Sequence, residues 1–363
     1  MNLVVSTHFH PLIVKRVAPE TADSAAITFD IPPALREAFN FKPGQFLTLR
    51  ATIDGKEQRR SYSICSSHSR FTRAHELEVG IKRVEGGVFS SWAITQLKAG
   101  DTLEAMSPDG RFTTRGSGTV HRAGFAAGSG ITPMLSIIAS TLEADAGSTF
   151  TLVYGNQRIS SIMFNEELQD LKDRFPSRFT LMHVLSRQPQ EAVLFNGRLD
   201  TAKVAELLQT ALPAAGIDEA FICGPAAMID ATELALHQAG ITSDRIHTER
   251  FFADGVTPPR KPEAQPPGVQ AAFQLDVVMD GKTHHFGMGA TDHVLDVALD
   301  AGLDLPYSCK GGVCCTCRAK VLEGKVEMDR NFTLEPWEVA KGFVLTCQAR
   351  PLTAKVVISY DER

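Results

Sequence analysis

Short runs in which apolar and polar residues alternate dominate the first hundred positions, at 12–17, 25–29, 46–50, 60–65 and 77–82. A period of two with turn residues between the runs predicts strands, and many short strands in succession predict an antiparallel β-barrel. Gly110, Gly116 and Gly118 punctuate the chain, and the pattern changes near 115–120. Beyond that point, apolar runs at 123–127, 150–154, 179–185 and 220–223 are each followed by a helical pattern, such as 132–142 and 225–238. Strand and helix in alternation predict an α/β domain, a parallel sheet flanked by helices. Gly255 to Gly268 carries Pro258, Pro259, Pro262, Pro266 and Pro267 without apolar periodicity, the composition of a semi-extended linker. After it the pattern predicts two strands (272–279, 282–286), a helix (292–301), a cysteine-rich loop and short strands reaching 358. Asp292 is the expected N-cap of that helix and Gly302 the expected residue just past its end. The expected units are 1–116, 117–254 and 270–363, with 255–269 as the linker.

Composition removes several function classes. A net charge of −5 with no basic run argues against nucleic acid as a partner. No apolar stretch approaches the length of a membrane span, so no membrane partner is expected either. His8, His10 and Pro11 interrupt the apolar residues near the start, which therefore do not read as a secretory signal. The cysteines do not form the dense framework of a secreted domain. These features predict a cytoplasmic protein.

Four of the cysteines carry the sharpest signal. Cys309, Cys314 and Cys317 stand in a Cys-x4-Cys-x2-Cys run, and Cys347 follows thirty residues later. This is the plant-type [2Fe–2S] spacing, in which a loop supplies three thiolates and a separate strand end the fourth. Gly311 and Gly312 suit the loop, because a backbone without Cβ can approach the inorganic sulfides closely. The alternative, a structural zinc site, usually shows two close cysteine pairs instead. Cys315, adjacent to a ligand, is assigned no ligand role. Cys65 is expected to fill space in its strand.

The α/β region opens with Gly128-Ser-Gly130-Ile-Thr132-Pro133, where a strand ends, glycines turn the chain and a helix begins. Free N–H groups at such a helix start can receive a pyrophosphate, although an ordinary strand–helix turn would look alike. Cys223-Gly224-Pro225 ends a later strand, and Arg60-Ser-Tyr62-Ser63 lies in the barrel region.

Taken together, these motifs resemble the ferredoxin–NADP reductase superfamily over residues 10 to 252, with a plant-type ferredoxin domain of α+β β-grasp fold appended. The resemblance implies an FAD-binding barrel, a nucleotide-binding α/β domain and an electron-transfer enzyme. It places Arg60 on the flavin pyrophosphate, Tyr62 on the isoalloxazine and Ser63 near flavin N5. Ile81 and Lys82, and then Gly87, Val88 and Ser90, match the later flavin-phosphate contacts. Gly128, Gly130 and Thr132 match the nucleotide loop. Cys223, Gly224 and Pro225 match the segment facing the nicotinamide, although a free cysteine is more commonly a small buried hydrophobe. Glu249 would orient that pocket or relay a proton, and Phe251, where plant reductases have tyrosine, would cover the other flavin face. Ser186 and Arg187 resemble the pair that grips a 2′-phosphate, which favours NADPH over NADH. The other reading of Arg187 is a solvated loop arginine.

A cluster near about −400 mV can reduce an oxygen-activating metal centre. The chain has no paired Glu-x-x-His set of its own. The order of domains resembles oxygenase reductases, so the expected partners are the oxygenase subunits of a multicomponent complex. The runs around 306–326, 334–336 and 344–352 resemble the reductase subunits of phenylacetyl-CoA epoxidases, whose oxygenase is of the di-iron type. Reductases of ketosteroid 9α-hydroxylases or aromatic-ring hydroxylases share every cofactor motif. A zinc-stabilised adaptor with a vestigial reductase fold is the non-enzyme alternative.

Overall fold

The computed structural model describes residues 8–115, 118–251 and 272–362. The expected linker 255–269 lies outside the described residues. The chain divides into two compact units, Met1–Phe251 and Phe252–Arg363.

The first unit begins with six antiparallel strands: β1 (Phe9–Thr21), β2 (Ser24–Asp30), β3 (Phe46–Ile53), β4 (Lys56–Ser63), β5 (Glu76–Lys82) and β6 (Thr102–Met106). They run in the order β4-β3-β6-β1-β2-β5, and a bridge between Ile64 and Val79 joins the two edges, closing the barrel. Closure leaves neither edge open to another chain. Asp54 and Gly55 both have positive φ and form the two-residue turn between β3 and β4, the conformation that matches strand twist. Strand β2 is buried along almost its whole length rather than on alternate positions. Ile27 and Phe29 fill the barrel, while Ala26 packs into the core of the neighbouring α/β layer, so both faces of the strand are covered.

Two helices in this region have no counterpart in the alternation of the sequence, α1 (His68–Ala74) and α2 (Val88–Thr95). Helix α1 is about two turns stabilised by a cap, since the Ser67 hydroxyl accepts a hydrogen bond from the Arg70 amide. Neither helix is long enough to establish a period of 3.6 residues.

The α/β layer comprises β7 (His121–Ala127), α3 (Ile131–Ala144), β8 (Thr149–Asn156), α4 (Asn165–Arg174), β9 (Phe179–Leu185), α5 (Thr201–Thr210), β10 (Glu219–Cys223), α6 (Ala226–Gln238) and β11 (Ile246–Glu249). All strand pairs are parallel, in the order β11-β10-β7-β8-β9. The edge strand β11 is too short and too polar to signal itself in the sequence. In β10, Phe221 and Cys223 pack on one side of the sheet and Ala220 and Ile222 on the other. The chain passes from the edge strand β9 back across the sheet to β10, beside β7. A switch of direction between neighbouring strands opens a crevice at their carboxyl ends.

The second unit is built on β12 (Phe273–Met279), β13 (Lys282–Met288), α7 (Val294–Asp300), β14 (Arg318–Glu323), β15 (Val326–Met328), α8 (Pro336–Ala340), β16 (Phe343–Leu345), β17 (Ala349–Pro351) and β18 (Lys355–Ser359). A mixed sheet runs β13-β12-β18-β14-β16, and β15 pairs with β17. Val294, Leu295 and Ala298 of α7 seal the core against Leu275, Val277, Val356 and Ile358. Gly302 follows α7 with φ +87°, and the Gly302 and Leu303 amides donate back to Leu299 and Ala298, as expected for a glycine-terminated helix. The N-cap expectation needs correction. Asp292 is not the cap, because its carboxylate accepts from the Gly289 amide at 2.7 Å, and the helix starts one residue later, after His293.

Candidate functional site

The crevice between β7 and β10 brings the motifs of the first unit together. Gly128 turns the chain with φ +53°, and a short 3-10 turn over Gly128–Gly130 leads into α3. A Cβ at Gly130 would stand 2.0 Å from the Cys223 carbonyl oxygen, so only glycine lets the two strand-end loops touch. Gly224 is similarly close-packed, against Ala127 and Met228. Pro225 is exposed and precedes α6. Thr132 turns inward: its hydroxyl donates to the Ser129 carbonyl at 3.0 Å and its methyl lies where a Cβ on Gly80 would fall. Thr132 therefore shapes the loop and docks it on the barrel, leaving the backbone amides of the helix start to face a ligand.

Ser63, Cys223 and Glu249 meet at this crevice. Ser63 ends β4, and its hydroxyl donates to Glu249 Oε2 at 3.2 Å across the boundary between barrel and α/β layer. Glu249 ends β11 directly beside Cys223 in the strand register. Burial pushes the Glu249 carboxyl up to about 8, against the lowering effect of the Ser63 hydroxyl. At neutral pH it is an acid that can donate a hydrogen bond. Burial raises the Cys223 thiol well above its usual range, and the Glu249 charge adds to it. Cys223 is thus a neutral thiol, a compact apolar surface rather than a nucleophile. Phe251, partly buried, packs on the same core.

On the barrel side, Arg60 is exposed while its neighbour Arg59 is buried and paired with Glu57 at 2.7 Å. Strand alternation puts the two arginines on opposite faces, leaving Arg60 as the one able to meet a phosphate. Tyr62 lies half-buried, 5.6 Å from the Phe89 ring, and burial raises its hydroxyl. Ile81 is buried inside the barrel, so only its backbone can serve a ligand. Lys82 pairs with Asp23 at 3.4 Å. Gly87 is the cap residue of α2, where a Cβ would crowd Ser90 Oγ at 2.7 Å. Val88 is exposed, and the Ser90 hydroxyl accepts from the Val84 amide at 3.1 Å. The Ser90 side chain thus braces the loop, and the unpaired amides of the first turn of α2 remain for an anion.

At the carboxyl ends of β8 and β9, the Ser186 and Arg187 amides donate to the Asn156 and Gln157 carbonyls, both at 2.9 Å. Arg187 and Arg158 both stand exposed there. Two exposed guanidinium groups at these strand ends can meet an anionic group.

The second unit gathers the four predicted cysteine ligands as two pairs. Cys309 and Cys314 face each other, as do Cys317 and Cys347. Within each pair one thiol is held below its ordinary value and its partner is driven above it. The Gly311 amide donates to Cys309 Sγ at 3.3 Å, and Gln348 Nε2 to Cys347 Sγ at 3.5 Å. Ser308 and Thr316 are buried; the Thr316 hydroxyl faces the Cys314 thiol, and the Ser308 hydroxyl has no protein partner among the described residues. A two-iron rhomb needs two thiolates at each end and offers its sulfides to a buried hydroxyl such as that of Ser308. The residues fit the rhomb. Cys315 has φ +60°, is buried, and receives the Thr333 hydroxyl at 3.6 Å, outside both pairs.

Three family models match successive parts of the chain. Residues 11–114 match the oxidoreductase FAD-binding domain, 125–234 the oxidoreductase NAD-binding domain and 277–352 the 2Fe-2S iron–sulfur cluster binding domain. The chain is 46% identical to a component of the 1,2-phenylacetyl-CoA epoxidase of Escherichia coli (strain K12), over 98% of this chain and 99% of that one. It is 37% identical to the ferredoxin reductase component of 3-ketosteroid-9-alpha-monooxygenase from Rhodococcus rhodochrous, over 96% of each. Phthalate dioxygenase reductase shares the fold, with a TM-score of 0.60 at 23% identity over 97% of this chain and 98% of that one. Among the described residues no helix is long and apolar enough to cross a membrane. With FAD-binding, NAD-binding and [2Fe–2S] domains in one chain, the protein is an NAD(P)H-dependent oxidoreductase and belongs to the ferredoxin–NADP reductase family, among its iron–sulfur oxygenase reductases.

Proposed function

We propose that this chain is the NADPH-oxidising reductase component of a di-iron oxygenase complex that epoxidises phenylacetyl-CoA. The observation that carries this reading is the near-complete overlap, at 46% identity, with a component of a phenylacetyl-CoA epoxidase. A bound flavin takes two electrons as a hydride and releases them singly, and a bound [2Fe–2S] cluster carries one at a time. Arg60 and the first-turn amides of α2 hold the flavin's phosphates, and Tyr62 and Phe251 cover its ring. Ser63 and Glu249 hold a proton at the Glu249 carboxyl, 3.2 Å from the Ser63 hydroxyl, beside the point where the hydride arrives. Cys223 presents an uncharged surface to the nicotinamide and keeps water away. Ser186 and Arg187, with Arg158, grip the 2′-phosphate that distinguishes NADPH from NADH. Cys309, Cys314, Cys317 and Cys347 hold the cluster. The boundaries 1–116, 117–254 and 270–363 assign one cofactor to each domain, and seven cysteines without a disulfide suit the reducing cytoplasm.

The test is reconstitution with the oxygenase subunits of a phenylacetyl-CoA epoxidase. NADPH consumption should rise on adding phenylacetyl-CoA, and omission of this chain should abolish it. The 37% relative supports a second reading, a ketosteroid monooxygenase reductase. Coupling to that oxygenase, and none to the epoxidase, would replace the first reading by the second.

A further inference from the structure

Lys310, between the ligand Cys309 and Gly311, has φ +51°, a left-handed conformation that residues with a Cβ rarely adopt. This turn folds the chain back so that the Gly311 amide reaches Cys309 Sγ at 3.3 Å. Three contacts hold it. Lys310 Nζ donates to Asp296 Oδ1 at 2.8 Å, and the ammonium sits 4.9 Å from the Tyr307 ring centroid. The Lys310 carbonyl accepts from Gln348 Nε2 at 3.0 Å, and the same buried amide reaches the Cys347 carbonyl at 2.9 Å and Cys347 Sγ at 3.5 Å. Asp296 is itself fixed on α7, with His293 Nδ1 3.8 Å away and His293 Nε2 anchored to Asp329 at 2.8 Å.

We propose that Lys310 is a positioning residue for electron transfer: Asp296 and Gln348 hold it in the left-handed turn that aims the Gly311 amide at the Cys309 sulfur. This inference rests on the iron–sulfur reading of the four cysteines. An N–H donated to a ligand sulfur stabilises the more negative, reduced form, so its loss makes the cluster harder to reduce.

Two variants of the full chain isolate the backbone effect, Lys310→Gly and Lys310→Val. Both remove the same charge and the same contact with Asp296. They differ in what the backbone accepts, since glycine takes positive φ freely and a β-branched residue resists it. Both should bind iron and show the cluster's visible absorption. The midpoint potential of Lys310→Val should lie below that of Lys310→Gly, by about a threefold to tenfold change in the reduction equilibrium, the scale of one hydrogen bond. Equal potentials, or a higher value for Lys310→Val, would overturn the proposal. If Lys310→Val fails to retain iron, Lys310→Ala takes its place, with the same sign and a smaller shift against Lys310→Gly. A parent protein that binds no iron would instead overturn the cluster reading itself.

Discussion

The two units place their chemistry in opposite ways. The second unit draws three of its four candidate ligand thiols from one loop, and the strained turns at Lys310 and Cys315 are local. The first unit joins Ser63 to Glu249 across 186 positions of sequence and across the boundary between barrel and α/β layer. A site made by a loop depends on ligand identity, position by position. A site made by strand ends depends on how two domains pack, and its individual groups are tuned by burial more than by neighbours in sequence.

The largest effects should therefore come from single thiols. Replacing any one of Cys309, Cys314, Cys317 or Cys347 by alanine should abolish cluster assembly, measured as iron content and visible absorption, while Cys315→Ala keeps both. If Cys315→Ala lost the cluster and Cys317→Ala kept it, the pairing described above would be wrong.

In the first unit, Glu249→Gln should lower NADPH-driven reduction of ferricyanide by about a hundredfold or more below pH 8, as expected for loss of a positioned acid. The Glu249 carboxyl titrates near 8, raised from its ordinary value, so the acid form prevails below that pH and the parent rate should fall as pH rises through it. The glutamine variant should lack that inflection. An unchanged inflection would assign the proton to another group.

Arg187→Ala comes next. It should raise KM for NADPH by about tenfold to a hundredfold, the worth of a charge-assisted contact, and leave KM for NADH unchanged. Equal losses with both nucleotides would mean that Arg187 reads no 2′-phosphate.

The cysteine spacing is legible in the sequence because three of the four positions fall in one loop, and the structure brings the four thiols together as two pairs. The strand–helix alternation is equally plain, since the buried parallel strands β8 and β10 carry apolar runs at 152–154 and 220–223. What sequence hides are the short pieces whose stability is tertiary: β6, β11, α1 and α2. It also hides which motif residues face outward. Thr132 and Ser90 stand in the loops the motifs single out, yet their hydroxyls are spent on Ser129 and Val84, and only the packed backbone reveals that. Asp292 fails as a cap for the same reason, its carboxylate being used by the preceding turn.

A smaller effect probes the seam between barrel and α/β layer. Glu20 of β1 accepts from the Phe164 amide at 3.0 Å, just before α4. Burial, with Glu167, Glu78 and Glu166 nearby, pushes its carboxyl up to about 7. The folded state then binds the extra proton between about 4.5 and 7, so stability falls as pH rises through that window and levels off above it. Glu20→Gln keeps the acceptor and removes the charge. It should be about 1 kcal/mol more stable than the parent at pH 8, after allowance for solvent screening, with no such advantage at pH 4. Thermal unfolding at the two pH values measures the difference.

Severing the two units tests the central claim most directly. A chain ending at about residue 255 should fold, bind flavin and reduce ferricyanide with NADPH at the rate of the whole protein, because Ser63, Cys223 and Glu249 all precede the cut. Mixed with the oxygenase subunits and phenylacetyl-CoA, the same fragment should support no product formation, whereas the whole chain does. A fragment that is insoluble or flavin-free, or one that drives the oxygenase without the four cysteines, would contradict the division of labour between the units.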